Sequence, residues 1–199
     1  MNGSRGTQPI RTKVPRQCAP RARRRGEPPS DPYLTQRPPQ EGARCRQCGA
    51  VYQRKRWRLA PLAVLPARGR GGAPLVLCPA CRKTQDHYPN GVVTVHWPKN
   101  PAVREEMLHL IRHQEQQGRR INPLERILSL DATADTLTVM TTNERLAGRI
   151  GRALERAFHG KTVYQWSREN KLVRVEWAGV PAGAAARGTR AARNRKGGR

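Results

Sequence analysis

Long apolar runs are the first feature that this 199-residue sequence lacks. Its longest apolar stretch, residues 59–67, spans only nine positions and contains two prolines. A membrane-spanning helix needs about 18 or more predominantly apolar residues, and the N-terminus has no apolar segment of the kind that a secretory signal requires. Hydrophobic residues make up 36% of the chain, with a mean hydropathy of −0.80. We therefore expect neither a membrane protein nor a secreted one, and no single large core.

Acidic residues are also scarce: 14 Asp and Glu stand against 39 Lys and Arg, which gives a net charge of +25. Eight basic residues lie within residues 1–30 and six within residues 179–199. The intervening residues still hold 25 basic against 13 acidic side chains. Because the excess is not confined to the termini, the sequence predicts a polyanionic partner for the folded part too, with nucleic acid as the first candidate.

Composition divides the chain into four segments. The first is rich in Pro, Arg, Gly and Gln and could not bury enough surface to offset its ordering entropy. The second holds four of the five cysteines, and the third shows regular hydrophobic periodicity. We predict a disordered basic tail at 1–40, a zinc-binding ribbon module at 41–99 with an inserted loop at 60–74, an α+β RNA-binding domain at 100–178, and a second disordered basic tail at 179–199.

The predicted α+β domain has the element order α-β-β-α-β-β. Pro101 suits the start of the first helix and Gly118 its end. Thr141 and Glu144 have the spacing of a capping box for the second helix, which Gly160 would terminate. The predicted strands, assigned from alternating apolar positions and turn residues, cover 126–130, 136–141, 161–167 and 172–177.

The four cysteines of the second segment carry the strongest motif. Cys45 and Cys48 form one CxxC pair and Cys78 and Cys81 another, and Gly49 permits a tight turn after the first pair. Two such turns supply the four tetrahedral thiolate ligands that structural Zn²⁺ prefers. Two disulfides or four free thiols are the alternatives, but disulfides are rare in the reducing compartment that a chain without a secretion signal implies. The sequence predicts one structural zinc ion, whereas Cys18 is expected to play no part.

Basic residues surround this predicted zinc site. Two aromatic residues, Tyr52 and Trp57, are interleaved with them, and cations together with aromatic rings suit phosphates and unpaired bases. For Trp57 itself we favour a place in the small core under the metal. The predicted RNA-binding residues of this module are Arg44, Arg46, Arg54, Lys55, Arg56, Arg58, Arg82 and Lys83.

The second predicted helix carries four arginines on one side. At about 100° per residue, Arg145, Arg149, Arg152 and Arg156 fall opposite an apolar arc. That arc comprises Leu146, Ala147, Ile150, Leu154, Ala157 and Phe158. An ordinary exposed face would mix charges of both signs, so we predict that the arginines contact phosphates, with a merely solvated face as the alternative.

No constellation of residues points to catalysis. His109 and His113 have the i,i+4 spacing of a two-histidine site, but they lie on the polar side of their helix without a third ligand. Asp131 and Asp135 lie at a predicted turn, where Asp is favoured for local hydrogen bonding. The sequence has no phosphate-binding glycine loop and no hydrolase or zinc-protease motif. We therefore expect no catalytic residues, no enzyme activity and no small-molecule substrate.

Short motifs resemble the nonsense-mediated-decay-protein-three family, whose members bind the large ribosomal subunit and whose eukaryotic members act as its nuclear export adaptor. The resemblance covers about residues 41–178. It rests on the run Cys45–Gly49, on Trp57, on Leu77–Cys81, on Asn122–Ile127 and on Thr141–Gly160. The chain has two CxxC pairs where the long members have more, and it lacks their long C-terminal export region. It resembles a short prokaryotic-type member, for which the resemblance implies contact with the ribosome or rRNA rather than export.

These observations combine into one functional hypothesis. We predict a non-catalytic, zinc-dependent RNA-binding protein that docks on the large ribosomal subunit through rRNA, in assembly, hibernation or quality control. We expect it to be cytoplasmic and ribosome-associated, monomeric before docking, and without a membrane partner. The alternative is a zinc-ribbon DNA-binding regulator or a nucleoid-type protein.

Overall fold

The computed structural model describes residues 31–34, 38–59, 73–167 and 171–179. The two predicted basic tails lie almost entirely outside these ranges, as does nearly all of the predicted inserted loop. Among the described residues, no helix is both long enough and apolar enough to cross a membrane.

The chain mixes helices and strands, which confirms the predicted α+β class. Two separate sheets are present, one in the cysteine-rich segment and one in the segment that follows. In chain order the elements are β1 (Arg44–Cys45), β2 (Val51–Gln53), β3 (Arg56–Arg58), β4 (Leu75–Val76), α1 (Pro79–Gln85), β5 (Gly91–His96), α2 (Pro101–Ile121), β6 (Ile127–Ala132), β7 (Thr136–Thr141), α3 (Glu144–Phe158), β8 (Lys161–Trp166) and β9 (Val173–Ala178).

The first sheet is small and has the strand order β3-β2-β1-β4. β2 pairs antiparallel with β1 and with β3, and β4 joins β1 in parallel. Its core consists of cysteines, alanines and two aromatic residues, and Tyr52 and Trp57 meet edge to face with ring centroids 5.5 Å apart. Trp57 is therefore part of the module's core, as predicted. So few apolar side chains make a marginal core, which is why modules of this size commonly depend on a bound metal.

The second sheet has five strands in the order β6-β7-β5-β9-β8. β5 and β9 are parallel, and the other neighbouring strands are antiparallel. Helices α2 and α3 cover one face. Alternate residues such as Val93, Val139 and Val175 point into the core beneath them, together with Ile111 and Leu154 from the helices. The order of elements from α2 to β9 is α-β-β-α-β-β.

Strand β5 corrects the predicted domain boundary. Residues 91–96 fall inside the predicted zinc module of 41–99, yet they form the central strand of the second sheet, between β7 and β9. The strand is buried on both faces for part of its length, since Val92 and Val93 are both inaccessible. A strand of this kind lacks the alternating pattern that marks a half-buried one.

Two helix ends differ from their prediction. Helix α2 continues through Gly118 to Ile121, because this glycine serves packing rather than termination: a Cβ atom there would lie 2.7 Å from a carboxylate oxygen of Glu125. At the start of α3 the predicted capping box is absent. Asn143 caps the helix by accepting a hydrogen bond from the backbone N–H of Arg145, while Thr141 is the last residue of β7.

The C-terminal end of α3 also departs from expectation. The left-handed residue is His159, with φ of 50°. Gly160 instead lies against the indole ring of Trp177, where a Cβ atom would approach ring atoms to about 2.3 Å. Ala157, predicted in the apolar arc of this helix, is exposed, whereas Phe158 beside it packs against the core.

The buried side chain of Lys83 links the first module to the N-terminal segment and to the second module. The ammonium group of Lys83 on α1 donates to a carboxylate oxygen of Asp31 and, at 3.0 Å, to the backbone carbonyl of Thr142 beyond β7. Asp31 belongs to the predicted disordered tail of 1–40, so that prediction is wrong at this residue. Asp31 stays beside Lys83 because a buried charge without its partner would be strongly unfavourable.

Candidate metal centre and basic surface

Four cysteines converge on one point of the first module. The sulfur atoms of Cys45, Cys48, Cys78 and Cys81 all lie within 4.8 Å of one another, and three of the four residues are buried. The Sγ atoms of Cys45 and Cys81 are 3.7 Å apart, as are those of Cys48 and Cys78. A disulfide would require about 2.05 Å, and all four thiols are free. In the part of the chain that the structure describes, this is the only cluster of three or more His, Cys, Asp or Glu residues that could hold a metal ion.

The spacing of the sulfurs fits a tetrahedral ion. With metal–sulfur bonds of about 2.3 Å, the edge of a regular tetrahedron of thiolates is about 3.8 Å, close to the two 3.7 Å separations. The four residues can therefore hold one metal ion with a closed shell. A shell without an open position suits a structural role.

Each half of the site comes from a short turn. Cys45 ends β1, and the chain reverses through Gly49, whose φ of +72° is the left-handed conformation that glycine adopts without strain. Cys78 caps α1, and its sulfur accepts the backbone N–H of Cys81 at 3.5 Å. The sulfur of Cys45 accepts the N–H of Cys78 at 3.4 Å, so the two turns support each other.

Close contact shifts the pKa values of three of the thiols in opposite directions. The hydrogen bond with Cys78 lowers the pKa of Cys48 to about 4, and the same contact, together with burial, raises the pKa of Cys78 far above its usual range. Burial also raises the pKa of Cys81 to about 11. A divalent metal would remove this conflict by stabilising every thiolate at once.

Arg126 is a residue of the site that the sequence analysis did not identify. It lies between α2 and β6 and donates from its guanidinium to the sulfur of Cys81 at 3.4 Å. Burial alone lowers its pKa, but the surrounding sulfurs of Cys48, Cys81 and Cys78 outweigh burial and raise it. A metal with four thiolates carries excess negative charge, so a fixed guanidinium beside it is a favourable outer contact.

The hairpin of β2 and β3 presents cations beside the metal centre. Its two-residue turn, Arg54 and Lys55, is left-handed at both positions, with φ of 49° and 61°. Both backbone N–H groups donate to the carboxylate of Glu41, at 3.0 and 3.4 Å, which holds the turn. Both side chains are exposed.

The predicted RNA-binding residues divide into exposed and internal ones. Two of these cations form ion pairs with buried acids in the described part of the chain. Lys83 binds Asp31, and the guanidinium of Arg149 binds the carboxylate of Glu125 at 2.7 Å. For Lys83, which is buried, the prediction of phosphate contact is wrong, because its charge neutralises Asp31. Arg149 keeps 26% of its side chain accessible, so its phosphate contact stays a prediction. The remaining cations are accessible to solvent: Arg44, Arg46, Arg54, Lys55, Arg56, Arg58, Arg82, Arg145, Arg152 and Arg156.

A groove of about 520 Å³ lies between the hairpin and the second module. Its apolar lining includes Tyr52, Trp57 and the exposed side chain of Ile121 at the end of α2. Its cations are Lys55, Arg56 and Arg145, contributed by both modules. The lining of the groove thus combines apolar side chains with three cations, and the acid Glu125 also lies in it.

His109 and His113 are exposed on α2, and Asp131 and Asp135 are exposed near the β6–β7 turn. None of them belongs to the cysteine cluster.

No protein-family model, curated protein or solved structure matches the chain.

Proposed function

We propose that this chain is a non-catalytic, zinc-dependent RNA-binding protein, and that its target is rRNA of the large ribosomal subunit. The proposal rests mainly on one observation: two exposed cations, Arg54 and Lys55, occupy the left-handed turn of the hairpin beside the metal site.

Arg54 and Lys55 are unfavourable residues for the backbone conformation of this turn. Two-residue turns that are left-handed at both positions favour Asn-Gly or Asp-Gly, which adopt the conformation with little strain. Larger side chains there cost of order 1 kcal/mol or more each. Here the turn instead carries Arg54 and Lys55, held by Glu41. A requirement for positive charge at the hairpin tip accounts for this choice.

Zinc is the metal that best fits a closed shell of four thiolates with these sulfur separations. Its role would be to fix the hairpin, because β2 and β3 have three residues each and rest on a very small core. RNA affinity should therefore depend on the metal even though no ligand position is open to RNA.

The groove favours RNA over duplex DNA as the partner. The exposed side chain of Ile121 offers apolar contact for an unstacked base, and the cations of the groove suit the phosphates on either side. Unpaired bases are common in folded RNA, whereas a regular duplex offers none. The exposed arginines of α3, Arg145, Arg152 and Arg156, would extend the phosphate contacts.

The choice of the large ribosomal subunit rests on the resemblance to the nonsense-mediated-decay-protein-three family. The resemblance includes Asn122–Ile127, the segment that carries Arg126 and Glu125. It supports a proposal of ribosome docking in assembly, hibernation or quality control, with a cytoplasmic location.

Binding of the metal-loaded full chain to structured rRNA fragments, measured over a range of salt concentrations, tests the proposal. The triple variant Arg54→Gln, Lys55→Gln, Arg56→Gln should bind more weakly. Each lost phosphate contact reduces the slope of log affinity against log salt by about 0.7–0.9, so we expect a decrease of about two.

The matched control removes three exposed cations from elsewhere: Lys99→Gln, Arg112→Gln, Arg174→Gln. It should retain the original slope to within about one contact. Equal losses in both variants would show that charge acts without a specific surface, and would contradict the proposal. Duplex DNA binding as tightly as rRNA at matched salt would favour the DNA-binding alternative. UV crosslinking in growing cells that is scattered by RNA abundance would contradict ribosome docking.

A further inference from the structure

Strand β8 forms one edge of the five-stranded sheet, and that edge lacks the features that normally protect an exposed strand. It pairs with β9 in an unbroken register over all six residues. It contains no proline or glycine, and Lys161 at its start is its only charged residue. Its other members, Thr, Val, Tyr, Gln and Trp, are mostly strong strand formers.

The opposite edge of the same sheet is protected. Strand β6 has a register irregularity between Ile127 and Ser129. The backbone N–H of Ile127 is occupied by the carboxylate of Glu115, at 3.0 Å, and Asp131 adds a charge to the strand. Bulges and charges are the usual means by which native proteins prevent an edge from pairing with another strand. The contrast within one sheet indicates that β8 is kept available.

β8 also exposes large apolar side chains on both of its faces. Trp166 is 63% exposed on the face that carries the helices, and Val163 is 45% exposed on the opposite face. In the described part of the chain, no strand lies beyond β8. An added strand would cover both side chains while satisfying the outward-facing backbone groups.

We propose that β8 pairs antiparallel with β8 of a second copy of this chain, which joins the two sheets into one of ten strands and replaces the monomer expected from the sequence. The strand itself selects this occupant. With one charged residue, at its first position, β8 has no charge pattern that would attract an acidic or a basic partner, and its outward edge is complementary to itself.

Pairing centred on Tyr164 is self-complementary. It places Thr162 of one copy opposite Trp166 of the other, an aromatic and β-branched pair of the favourable kind. Lys161 then lies opposite Ser167, beyond the end of the strand, so the two lysines stay apart. The two-fold axis is perpendicular to the sheet, because antiparallel partners opposite each other share a face. Both copies of α3, with Arg152 and Arg156, therefore lie on the same side, and the dimer presents a doubled basic surface.

Salt dependence distinguishes this association from RNA binding. Two highly positive molecules repel each other, and salt screens that repulsion. Analytical ultracentrifugation of the RNA-free, metal-loaded chain should show a dimer whose fraction rises with protein concentration and whose affinity rises with salt. RNA binding weakens with salt.

The variant Val163→Lys introduces the residue that commonly protects natural edges and should weaken the dimer by about tenfold or more. Ala132→Lys adds the same charge at the exposed end of β6 and should leave the dimer unchanged. Circular dichroism checks that both variants fold. Hydrogen exchange gives a second measurement, since protection of residues 161–166 should rise with protein concentration while that of 127–132 stays constant.

A chain that remains monomeric at every concentration and salt would overturn the proposal and leave the β8 edge to a strand from another protein. A dimer that survives Val163→Lys, or concentration-dependent protection elsewhere in the chain, would also overturn it. None of these results affects the test of the hairpin cations, which measures RNA affinity.

Discussion

Lys83 is a basic residue in a run of exposed cations, yet its side chain is buried like that of a core residue. It follows the last metal ligand by two residues, beside the exposed Arg82, yet only 5% of it is accessible. Burial lowers its pKa, while Asp31 opposes that shift. A lysine in this position is retained for the partner that it neutralises.

We expect Lys83→Met to lower the free energy of unfolding by about 3–5 kcal/mol, because Asp31 is left as a buried charge without its cation. Urea denaturation of the metal-loaded protein measures the loss. The double variant Asp31→Leu, Lys83→Met should recover most of it, since no uncompensated charge remains. Stability that is unchanged in Lys83→Met would contradict the buried pair.

The residues of the site differ in how far the sequence could predict them. The four cysteines are recognisable because each pair lies within one turn and its spacing is visible locally. Arg126 is 45 residues from Cys81, and only the packing of the second module against the first brings them together. Lys83 and Arg149 carry the same charge as their exposed neighbours, and it is the burial of Asp31 and Glu125 that separates them.

At the scale of elements, helix α3 contains two glycines whose roles are opposite. A Cβ atom at Gly151 would lie 2.6 Å from a methyl group of Val175 and 3.0 Å from the hydroxyl of Tyr164. At Gly148 the nearest atom is the flexible end of Arg152, at 3.4 Å. The first glycine allows the helix to approach the sheet, while the second only lowers helix propensity.

Gly151→Ala should therefore destabilise the protein by about 1–3 kcal/mol through overpacking. Gly148→Ala should stabilise it by about 0.5–1 kcal/mol, because alanine is the better helix former. Thermal and urea unfolding of both variants measures the difference. Two variants that change stability in the same direction would contradict the close packing of α3 on β9.

The elements that the sequence predicted are those with a clear local pattern. β7 and β9 alternate buried and exposed residues, so their positions follow from the sequence to within one residue. β5 shows no such alternation, and its partner strands begin 45 and 82 residues further along the chain. Its place at the centre of the sheet is a property of the tertiary structure.

At the scale of the whole molecule, the two modules depend on the metal to different extents. The second has its own core beneath α2 and α3. Among the described residues of the first, the core cluster has eight buried members, three of which are cysteines of the metal site. Loss of the metal should thus disorder one module and leave the other folded.

Cys48→Ser should lower metal affinity by more than about 100-fold, since loss of an outer contact alone costs about 10–100-fold. Hydrogen exchange should then rise in residues 42–58 and 75–85 and stay low in β5, β7 and β9. Cys18→Ser is the matched control and should bind one metal per chain like the unaltered protein, as metal analysis will show. Unchanged metal affinity in Cys48→Ser, measured by competition with a chelator, would exclude the four-cysteine site.

The central position of β5 has a consequence for synthesis of the chain. The strand is made soon after the cysteine-rich module, but its second partner, β9, begins 82 residues further along the chain. Until β9 has been made, the apolar Val-Val-Thr-Val segment of β5 remains unpaired on that side. Unpaired apolar segments of nascent chains are prone to aggregation. All four metal ligands have been made once Cys81 is translated. The cysteine-rich module can therefore bind its metal before β5 pairs with its neighbours.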